Sequence, residues 1–208
     1  GNADKRRSGL LVILGHGVTG NKDRPVLVDT AEALQKAGFD TLRFSFSGNG
    51  GSEGSFLHST ITKEVGDLDA VLNAVATAYG RILYIGHSMG AAVGVLKAAC
   101  DGRISALISL AGMVNTRTFA MTEFGPPEAH HDCMWDDPDC PLSSAFMQDL
   151  CKTVDSVLPS AKSLQLPWLL IHGTADDVVL LKDSEAIKSA KGDTATLVTI
   201  EGADHSFS

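Results

Sequence analysis

The residues at positions 86–90, GHSMG, stand where a short apolar run passes directly into a run of small residues. The apolar run Ile82–Ile85 predicts a strand, and the small residues that follow the motif predict the start of a helix. A serine in so sharp a turn is held in a strained backbone conformation, at a typical cost of about 1–3 kcal/mol, which lifts its hydroxyl clear of the sheet. The N–H groups that open the helix point to the same place. The pattern therefore predicts Ser88 as a nucleophile whose attack creates an oxyanion.

The G-x-S-x-G pattern occurs a second time, at residues 50–54, around Ser52. No apolar strand runs directly into this copy, and residues 55–59 do not begin a helix. Because a short motif has meaning only in the right structural context, Ser52 is predicted to lie in a loop.

A serine hydroxyl near neutral pH needs a general base, and the base needs an orienting carboxylate. His205 follows the last predicted strand, so it reaches the same sheet edge as Ser88 and is predicted as the base. The other histidines lie in predicted turns, in a polar loop, at a strand end or in an irregular segment: His16, His58, His87, His130, His131 and His172.

Two adjacent carboxylates, Asp176 and Asp177, are candidates for the orienting acid, since both follow a predicted strand. Asp204 is adjacent to His205, but neighbouring side chains in an extended chain diverge, which makes it a poor orienting group. The residues alone leave the choice between Asp176 and Asp177 open.

An oxyanion needs two hydrogen-bond donors. The backbone N–H of Met89, directly after the nucleophile, is predicted to be one. The loop after the first strand is predicted to supply the other, at the N–H of Val18, because Gly17 lets the chain turn tightly there. The alternative to an oxyanion-binding site is a tight strand-to-helix connection with no role in binding.

Strands and helices alternate along the chain. Strands are predicted at 10–14, 41–46, 82–85, 104–110, 167–171 and 195–200, and helices at 24–37, 63–79, 91–100, 145–157 and 184–190. This alternation predicts an α/β fold, a doubly wound and mostly parallel sheet of about six strands with helices on both faces.

The alternation of strands and helices is interrupted at about 114–165, between two predicted sheet strands. We therefore predict one domain, 1–208, with a cap insertion at about 114–165 over the edge where such sheets bind ligands.

The predicted cap is rich in apolar side chains and also carries acidic residues. An acyl or alcohol pocket is predicted from Phe119, Met121, Phe124, Trp135, Phe146 and Met147, with ordinary packing of the cap as an equal alternative. The acidic residues Asp136, Asp137 and Asp139 are predicted to form a solvated rim, which could also disfavour anionic substrates.

The bulk composition limits the partners. A chain of 208 residues with 44% hydrophobic content can bury one good core. Its net charge of −8 argues against nucleic acid or an anionic membrane as the main partner. No apolar run approaches the ~20 residues of a membrane span, and no signal segment follows the basic residues 5–7. We expect a cytoplasmic protein that acts on a small molecule without a cofactor.

The four cysteines do not resemble a disulfide framework for a chain of this length. Free thiols are favoured. A Cys133–Cys140 bridge in an exported protein is one alternative. A zinc site of His130, His131, Cys133 and Cys140 is another, although the spacing matches no strong metal motif.

Five segments, HGVTGNKD, RFSFSGNGGSEGSF, GHSMG, IHGTADDVV and IEGADHSF, together resemble the α/β-hydrolase superfamily over nearly the whole chain outside the cap. They are most similar to bacterial cinnamoyl and feruloyl esterases and to serine-aminopeptidase-like hydrolases. The order Ser88, Asp176, His205 is the family order. The resemblance selects Asp176, four residues after His172, as the acid, and implies Val18 and Met89 as oxyanion donors.

The chain departs from the family pattern at both ends. An N-terminal strand pair normally precedes the first HG strand, and a final helix normally follows the histidine. We therefore expect a reduced sheet of about six strands, with the last loop less well anchored.

The resemblance implies hydrolysis of a carboxylic ester through an acyl-enzyme. A peptidase of the serine-aminopeptidase type is an alternative on the same triad, with Glu123 or Asp132 holding the substrate's amino terminus. An acyltransferase or a lyase could also use this triad. A non-catalytic ligand-binding module is the alternative from a different class.

Overall fold

A single parallel sheet organises the protein. A computed structural model describes residues 9–126 and 132–208. Its strands are β1 (Leu10–Gly15), β2 (Asp40–Arg43), β3 (Arg81–His87), β4 (Ile104–Leu110), β5 (Trp168–Gly173) and β6 (Ala195–Ile200). They form one six-stranded sheet in the order β2-β1-β3-β4-β5-β6, and every neighbouring pair is parallel. The predicted α/β sheet is confirmed.

Helices cover both faces of this sheet. They are α1 (Pro25–Lys36), α2 (Ile61–Val75), α3 (Met89–Cys100), α4 (Thr116–Phe124), α5 (Ser144–Gln148), α6 (Leu158–Ser163) and α7 (Leu181–Lys191). Short 3-10 turns occupy Phe56–His58, Met134–Asp136 and Gly192–Thr194, and a π-helical turn occupies Asp149–Val154.

The core divides into two layers because side chains alternate along each strand. In β1, Leu11 and Ile13 enter the larger apolar cluster, which includes residues of α2, α3 and α7. Val12 and Leu14 point the other way, into a smaller cluster with α1. The near-continuous apolar run of β1 is thus the mark of a strand buried on both faces.

Two predicted elements differ from the structure. The strand predicted at 41–46 ends at Arg43, because the chain turns and the N–H of Phe46 donates to Nε2 of His16 at 3.0 Å instead of to a neighbouring strand. The helix predicted at 145–157 is broken into α5 and a π-helical turn, because Asp155, which follows the turn, has a φ of 59° that a helix cannot continue through.

The segment between β4 and β5, residues 111–167, contains α4, α5 and α6 and is here named the β4–β5 segment. Buried carboxylates tie it to the helices beside it. Asp183 of α7 accepts hydrogen bonds from the N–H groups of Val114 and Asn115, at 2.7 and 3.0 Å. Asp149 accepts one from the N–H of Thr62 in α2, at 3.1 Å. These hydrogen bonds therefore attach the start and the middle of the segment to α7 and α2.

Cys100, Cys133, Cys140 and Cys151, which all lie within the described residues, form no disulfide bonds. Two groups raised by the sequence, the histidines at 130 and 131 and the basic residues 5–7, lie outside the described residues. Across 9–126 and 132–208, no helix combines the length and apolar character that crossing a membrane requires.

Glu64, in the first turn of α2, is a buried carboxyl group. The hydroxyl of Ser59 donates to its Oε1 at 2.9 Å, while its Oε2 has no hydrogen-bond partner among the described residues. Burial raises the pKa of Glu64 to about 8, against the opposing effects of the Ser59 hydrogen bond and the Lys63 charge; Asp67 and Asp149 raise it further. The folded protein therefore holds this side chain neutral at neutral pH.

Glu64 makes stability depend on pH. An unfolded glutamate ionises near 4.5, so between about pH 4.5 and 8 the folded chain keeps a proton that the unfolded chain releases. The free energy of unfolding then falls as pH rises, by up to ~1.4 kcal/mol per pH unit from this group. We expect Glu64→Gln to be more stable than the parent by roughly 2–4 kcal/mol at pH 8, with little difference at pH 5. Urea unfolding at both pH values measures this.

Other titrating groups, the buried histidines included, are the same in the parent and in Glu64→Gln. The difference in stability between these two proteins therefore reports on Glu64 alone. Glu185→Gln, at an exposed position of α7, is the matched control and is expected to change stability equally little at both pH values. A Glu64→Gln effect of the same size at pH 5 and pH 8 would contradict a neutral buried carboxyl.

Candidate active site

Ser88 lies between β3 and α3 with φ of 53° and ψ of −122°. A non-glycine residue in this region stores backbone strain of about 1–3 kcal/mol, so its surroundings must hold it there. Its N–H donates to the carbonyl of Leu110 at 2.9 Å, and its carbonyl accepts from the N–H groups of Ala91 and Met113 at 3.0 and 3.1 Å. The end of β4 and the start of α3 thus fix the turn.

Glycines allow the loop after β1 to touch this turn. A Cβ at Gly17 would lie 2.7 Å from Cβ of Ser88, and a Cβ at Gly90 would lie 2.4 Å from the carbonyl oxygen of His16. Contacts this short are sterically forbidden, so any larger residue at either position would push the loop away from Ser88.

His205 and Asp176 form a direct hydrogen bond. Nδ1 of His205 lies 2.8 Å from Oδ2 of Asp176, and Oδ1 of Asp176 accepts from the N–H groups of Val178 and Val179 at 3.0 and 2.9 Å. Burial alone would raise the pKa of Asp176, but hydrogen bonds from His172, His205 and the backbone outweigh it and hold the pKa well below its usual range. The carboxylate therefore stays ionised and fixes Nδ1 of His205 as the protonated ring nitrogen.

The neighbouring carboxylates are engaged elsewhere. Asp177 is exposed. Asp204 is also exposed, and its Oδ1 accepts from the N–H groups of Ser206 and Ser208 at 2.9 and 3.0 Å. Of the three carboxylates considered from the sequence, Asp176 is the one that contacts the His205 ring.

Ser88 and His205 line one cavity of about 430 Å³. Its wall consists of Gly17, Val18, Thr19, Gly20, Arg24, Pro25, Val26, His87, Ser88, Phe119, Trp135, Val178, His205 and Ser206. Within the described residues the Ser88 hydroxyl has no hydrogen-bond partner. In ligand-free sites the contact between hydroxyl and imidazole is often long and tightens when substrate binds.

The two predicted oxyanion donors leave adjacent strands. β1 and β3 pair in register up to Gly15 and Gly86, so the turns that follow them lie side by side. Val18 lies in the first turn and lines the cavity, and Met89 opens α3 directly after Ser88. Across 9–126 and 132–208, the N–H groups of Val18 and Met89 donate to no protein acceptor. Both are free to receive a ligand oxygen.

The four predicted substrate-binding aromatics occupy two layers. Phe119 and Trp135 line the cavity. Phe124 and Phe146 are buried behind them, with ring centroids 5.0 Å apart for Phe124–Trp135 and 6.1 Å apart for Phe124–Phe146. The structure thus brings Phe119 and Trp135 to the cavity and places the other two rings as their support.

His87 is a cavity residue to which the sequence analysis gave only a turn role. Its Nε2–H donates to the backbone carbonyl of His205 at 3.0 Å, and the two rings lie 4.9 Å apart. Burial lowers the pKa of His87 to about 4, so the ring is neutral at neutral pH. His87 therefore anchors the loop that carries His205. Nothing in the spacing of the motif indicates this contact, because 118 residues separate the partners.

Two further buried histidines support the site. His16 accepts from the N–H of Phe46 through Nε2 and donates to the carbonyl of Gly17 at 2.8 Å, and burial lowers its pKa to about 4. His172 lies between the hydroxyl of Ser184 and the carbonyl of Val179, each at 2.7 Å. His16 thereby shapes the loop of Val18, and His172 the turn of Asp176.

Solved structures share this architecture. Est1E from Butyrivibrio proteoclasticus with bound ferulic acid is 27% identical, with a TM-score of 0.86, over 99% of this chain and 84% of that chain. Alpha/beta hydrolase domain-containing protein 10 from mouse is 20% identical, with a TM-score of 0.78, over 94% and 81%. Monoacylglycerol lipase from Paleococcus ferrophilus is 18% identical, with a TM-score of 0.72, over 94% and 85%. Among curated proteins none matches the chain.

The family comparison covers nearly the whole chain. The family described as serine aminopeptidase, S33, matches residues 7–131 and 132–208. The lipase neighbour shares the fold, and the family match together with the likeness to Est1E supports a hydrolase. The chain belongs to the serine aminopeptidase S33 family of the α/β-hydrolase superfamily.

Proposed function

We propose that this protein is a serine hydrolase that cleaves carboxylic esters through an acyl-enzyme, with Ser88, His205 and Asp176 as the catalytic triad. The observation that carries the proposal is the 2.8 Å hydrogen bond between Nδ1 of His205 and the buried Asp176 carboxylate. His205 and the strained Ser88 line the same cavity. A neutral imidazole held in this tautomer presents Nε2 as a base.

The proposed reaction has two halves. Oγ of Ser88 attacks the ester carbonyl carbon while Nε2 of His205 takes the hydroxyl proton. The resulting oxyanion accepts hydrogen bonds from the N–H groups of Val18 and Met89, which donate to no acceptor among the described residues. His205 then gives its proton to the leaving alcohol, and water cleaves the acyl-enzyme by the reverse route. Asp176 stays ionised throughout and stabilises the imidazolium.

The β4–β5 segment is proposed to act as a cap that selects the substrate. It contributes Phe119 and Trp135 to the cavity, where apolar acyl or alcohol groups would pack against their rings. Since Est1E, at 27% identity, binds ferulic acid, esters of aromatic acids belong among the substrates to test first.

Peptidase activity is the second candidate, because the matching family is described as serine aminopeptidase. An aminopeptidase needs a carboxylate beside the cavity to hold the substrate's ammonium group. Oε2 of Glu123 accepts from the indole N–H of Trp135 at 2.8 Å, and Asp132 is exposed. Neither lines the cavity, and of the described residues that do, none is acidic. Ester cleavage therefore fits the site better.

A fluorophosphonate probe combined with two substrate panels tests the proposal. We expect the probe to label Ser88, as mapped by mass spectrometry of the labelled peptide. We also expect turnover of p-nitrophenyl esters, with acyl length and aromatic acids varied, and far slower turnover of aminoacyl p-nitroanilides. Preference for the anilides would replace the esterase proposal with the peptidase. Absence of both labelling and turnover would refute a serine hydrolase.

A further inference from the structure

Arg24 places a positive charge at the edge of the cavity that Ser88 lines. It directly precedes α1 and lines the cavity together with Pro25 and Val26. Its guanidinium donates through Nη2 to the carbonyl of Thr19 at 3.0 Å. This bond holds the exposed side chain against the loop that carries Val18, so the charge has a defined place beside that loop.

Among the residues that the structure describes, the Arg24 guanidinium has no carboxylate partner. In the described ranges, no aspartate or glutamate forms an ion pair with it, whereas Arg43, Arg103 and Arg117 each pair with a carboxylate. A guanidinium that keeps one nitrogen on a carbonyl still has free N–H groups in a planar fork, which matches the two oxygens of a carboxylate.

Among the described residues, the rest of the cavity wall carries no negatively charged side chain. The other titratable groups in it are His87 and His205, and no described acidic residue lines it. The acidic residues Asp136, Asp137 and Asp139, which the sequence suggested as a barrier to anions, are exposed and do not line the cavity.

We propose that Arg24 is a specificity residue that selects esters carrying a carboxylate on the acyl or alcohol part. The inference rests on the proposed function and names its substrate class. The ester carbonyl would lie at Ser88 and the apolar part of the substrate against Phe119 and Trp135. The free carboxylate would then accept hydrogen bonds from the Arg24 fork at the edge of the cavity.

Matched pairs of esters test this. One pair is the p-nitrophenyl monoester of adipic acid and its carboxamide counterpart, which places the charge on the acyl part. The second pair is the acetate ester of 4-hydroxybenzoate and that of 4-hydroxybenzamide, which places it on the alcohol part. The readout is the ratio of kcat/KM for the anionic ester to kcat/KM for the neutral ester of the same pair. Changes that affect both esters equally, such as a shift of the Val18 loop, cancel in this ratio.

We expect the ratio of at least one pair to fall roughly five- to tenfold in Arg24→Gln, a modest factor because the side chain is exposed. Arg24→Lys should retain part of the preference, and added salt should reduce it in the parent. Arg81→Gln is the matched control, because Arg81 is exposed and begins β3 at the opposite sheet edge. The Arg81→Gln variant should have the activity of the parent and the same ratio of kcat/KM for the anionic ester to kcat/KM for the neutral ester.

The possible failures are distinct. Ratios in Arg24→Gln within twofold of the parent for both pairs, with the esters still hydrolysed, would overturn the role of Arg24 and leave the esterase intact. Loss of the preference in Arg81→Gln as well would show that general charge, not this site, sets it. Absence of turnover of all four esters would refute the proposed function and with it this inference.

Discussion

Ser88→Ala is expected to lower kcat for a short p-nitrophenyl ester by about 10⁴- to 10⁶-fold. The variant keeps the cavity, His205 and both proposed oxyanion donors, but it has no oxygen to form the acyl-enzyme. Any remaining rate should come from substrate binding and oxyanion stabilisation alone. Initial rates, together with loss of fluorophosphonate labelling, measure the effect.

The second G-x-S-x-G motif provides a matched control for Ser88. Ser52 lies in a turn, where its hydroxyl donates to the carbonyl of Ser45 at 2.8 Å. Ser52→Ala should keep parental kcat, and Ser88→Ala should keep the parental circular dichroism spectrum. Turnover by Ser88→Ala within tenfold of the parent would remove the nucleophile from the proposed mechanism.

Asp176→Asn is expected to lower kcat by about 10⁴-fold, with a much smaller change in KM. An amide next to Nδ1 of His205 can offer its N–H₂ group and leave the ring in the wrong tautomer, with the proton on Nε2. The variant also loses the negative charge that stabilises the imidazolium. Steady-state kinetics at a series of pH values would separate kcat from KM and show whether the loss persists across the pH range.

Asp177→Asn is the matched control, because Asp177 is adjacent in sequence but exposed and does not contact His205. It should keep activity within a fewfold of the parent. If Asp177→Asn were the impaired variant and Asp176→Asn the active one, the acid would be wrongly assigned, despite the geometry of the 2.8 Å hydrogen bond.

The sheet could be predicted from the sequence because its strands are nearly continuous apolar runs bounded by turn residues. The run at 104–110 and the run at 195–200 correspond residue for residue to β4 and β6. The helices α4 and α6 were not predicted. α4 carries threonines and a glutamate among its apolar residues, and α6 is only six residues long with Ala161 as its buried residue, so neither presents a clear apolar stripe.

The site could be predicted as far as parallel topology allows. Residues that follow parallel strands meet at one edge of the sheet, which is why the sequence alone indicates Ser88, Asp176 and His205 as catalytic candidates. The choice of Asp176 over Asp177 needed a family resemblance, since adjacent residues share the same strand end. The contact of His87 with the His205 backbone and the approach of Arg24 to the cavity depend on loop conformation, which no periodicity encodes.

The strand order separates the two proposed oxyanion donors from the proposed acid and base. Val18 and Met89 emerge from β1 and β3, which are paired in register at the centre of the sheet. Asp176 and His205 emerge beyond β4, from β5 and from the margin strand β6. The spacing of the two proposed oxygen-binding donors thus depends on the pairing of β1 with β3 and on Gly17 and Gly90, not on β5 or β6. Substitutions in β5 or β6 could therefore change proton transfer by His205 while leaving the positions of the Val18 and Met89 N–H groups unchanged.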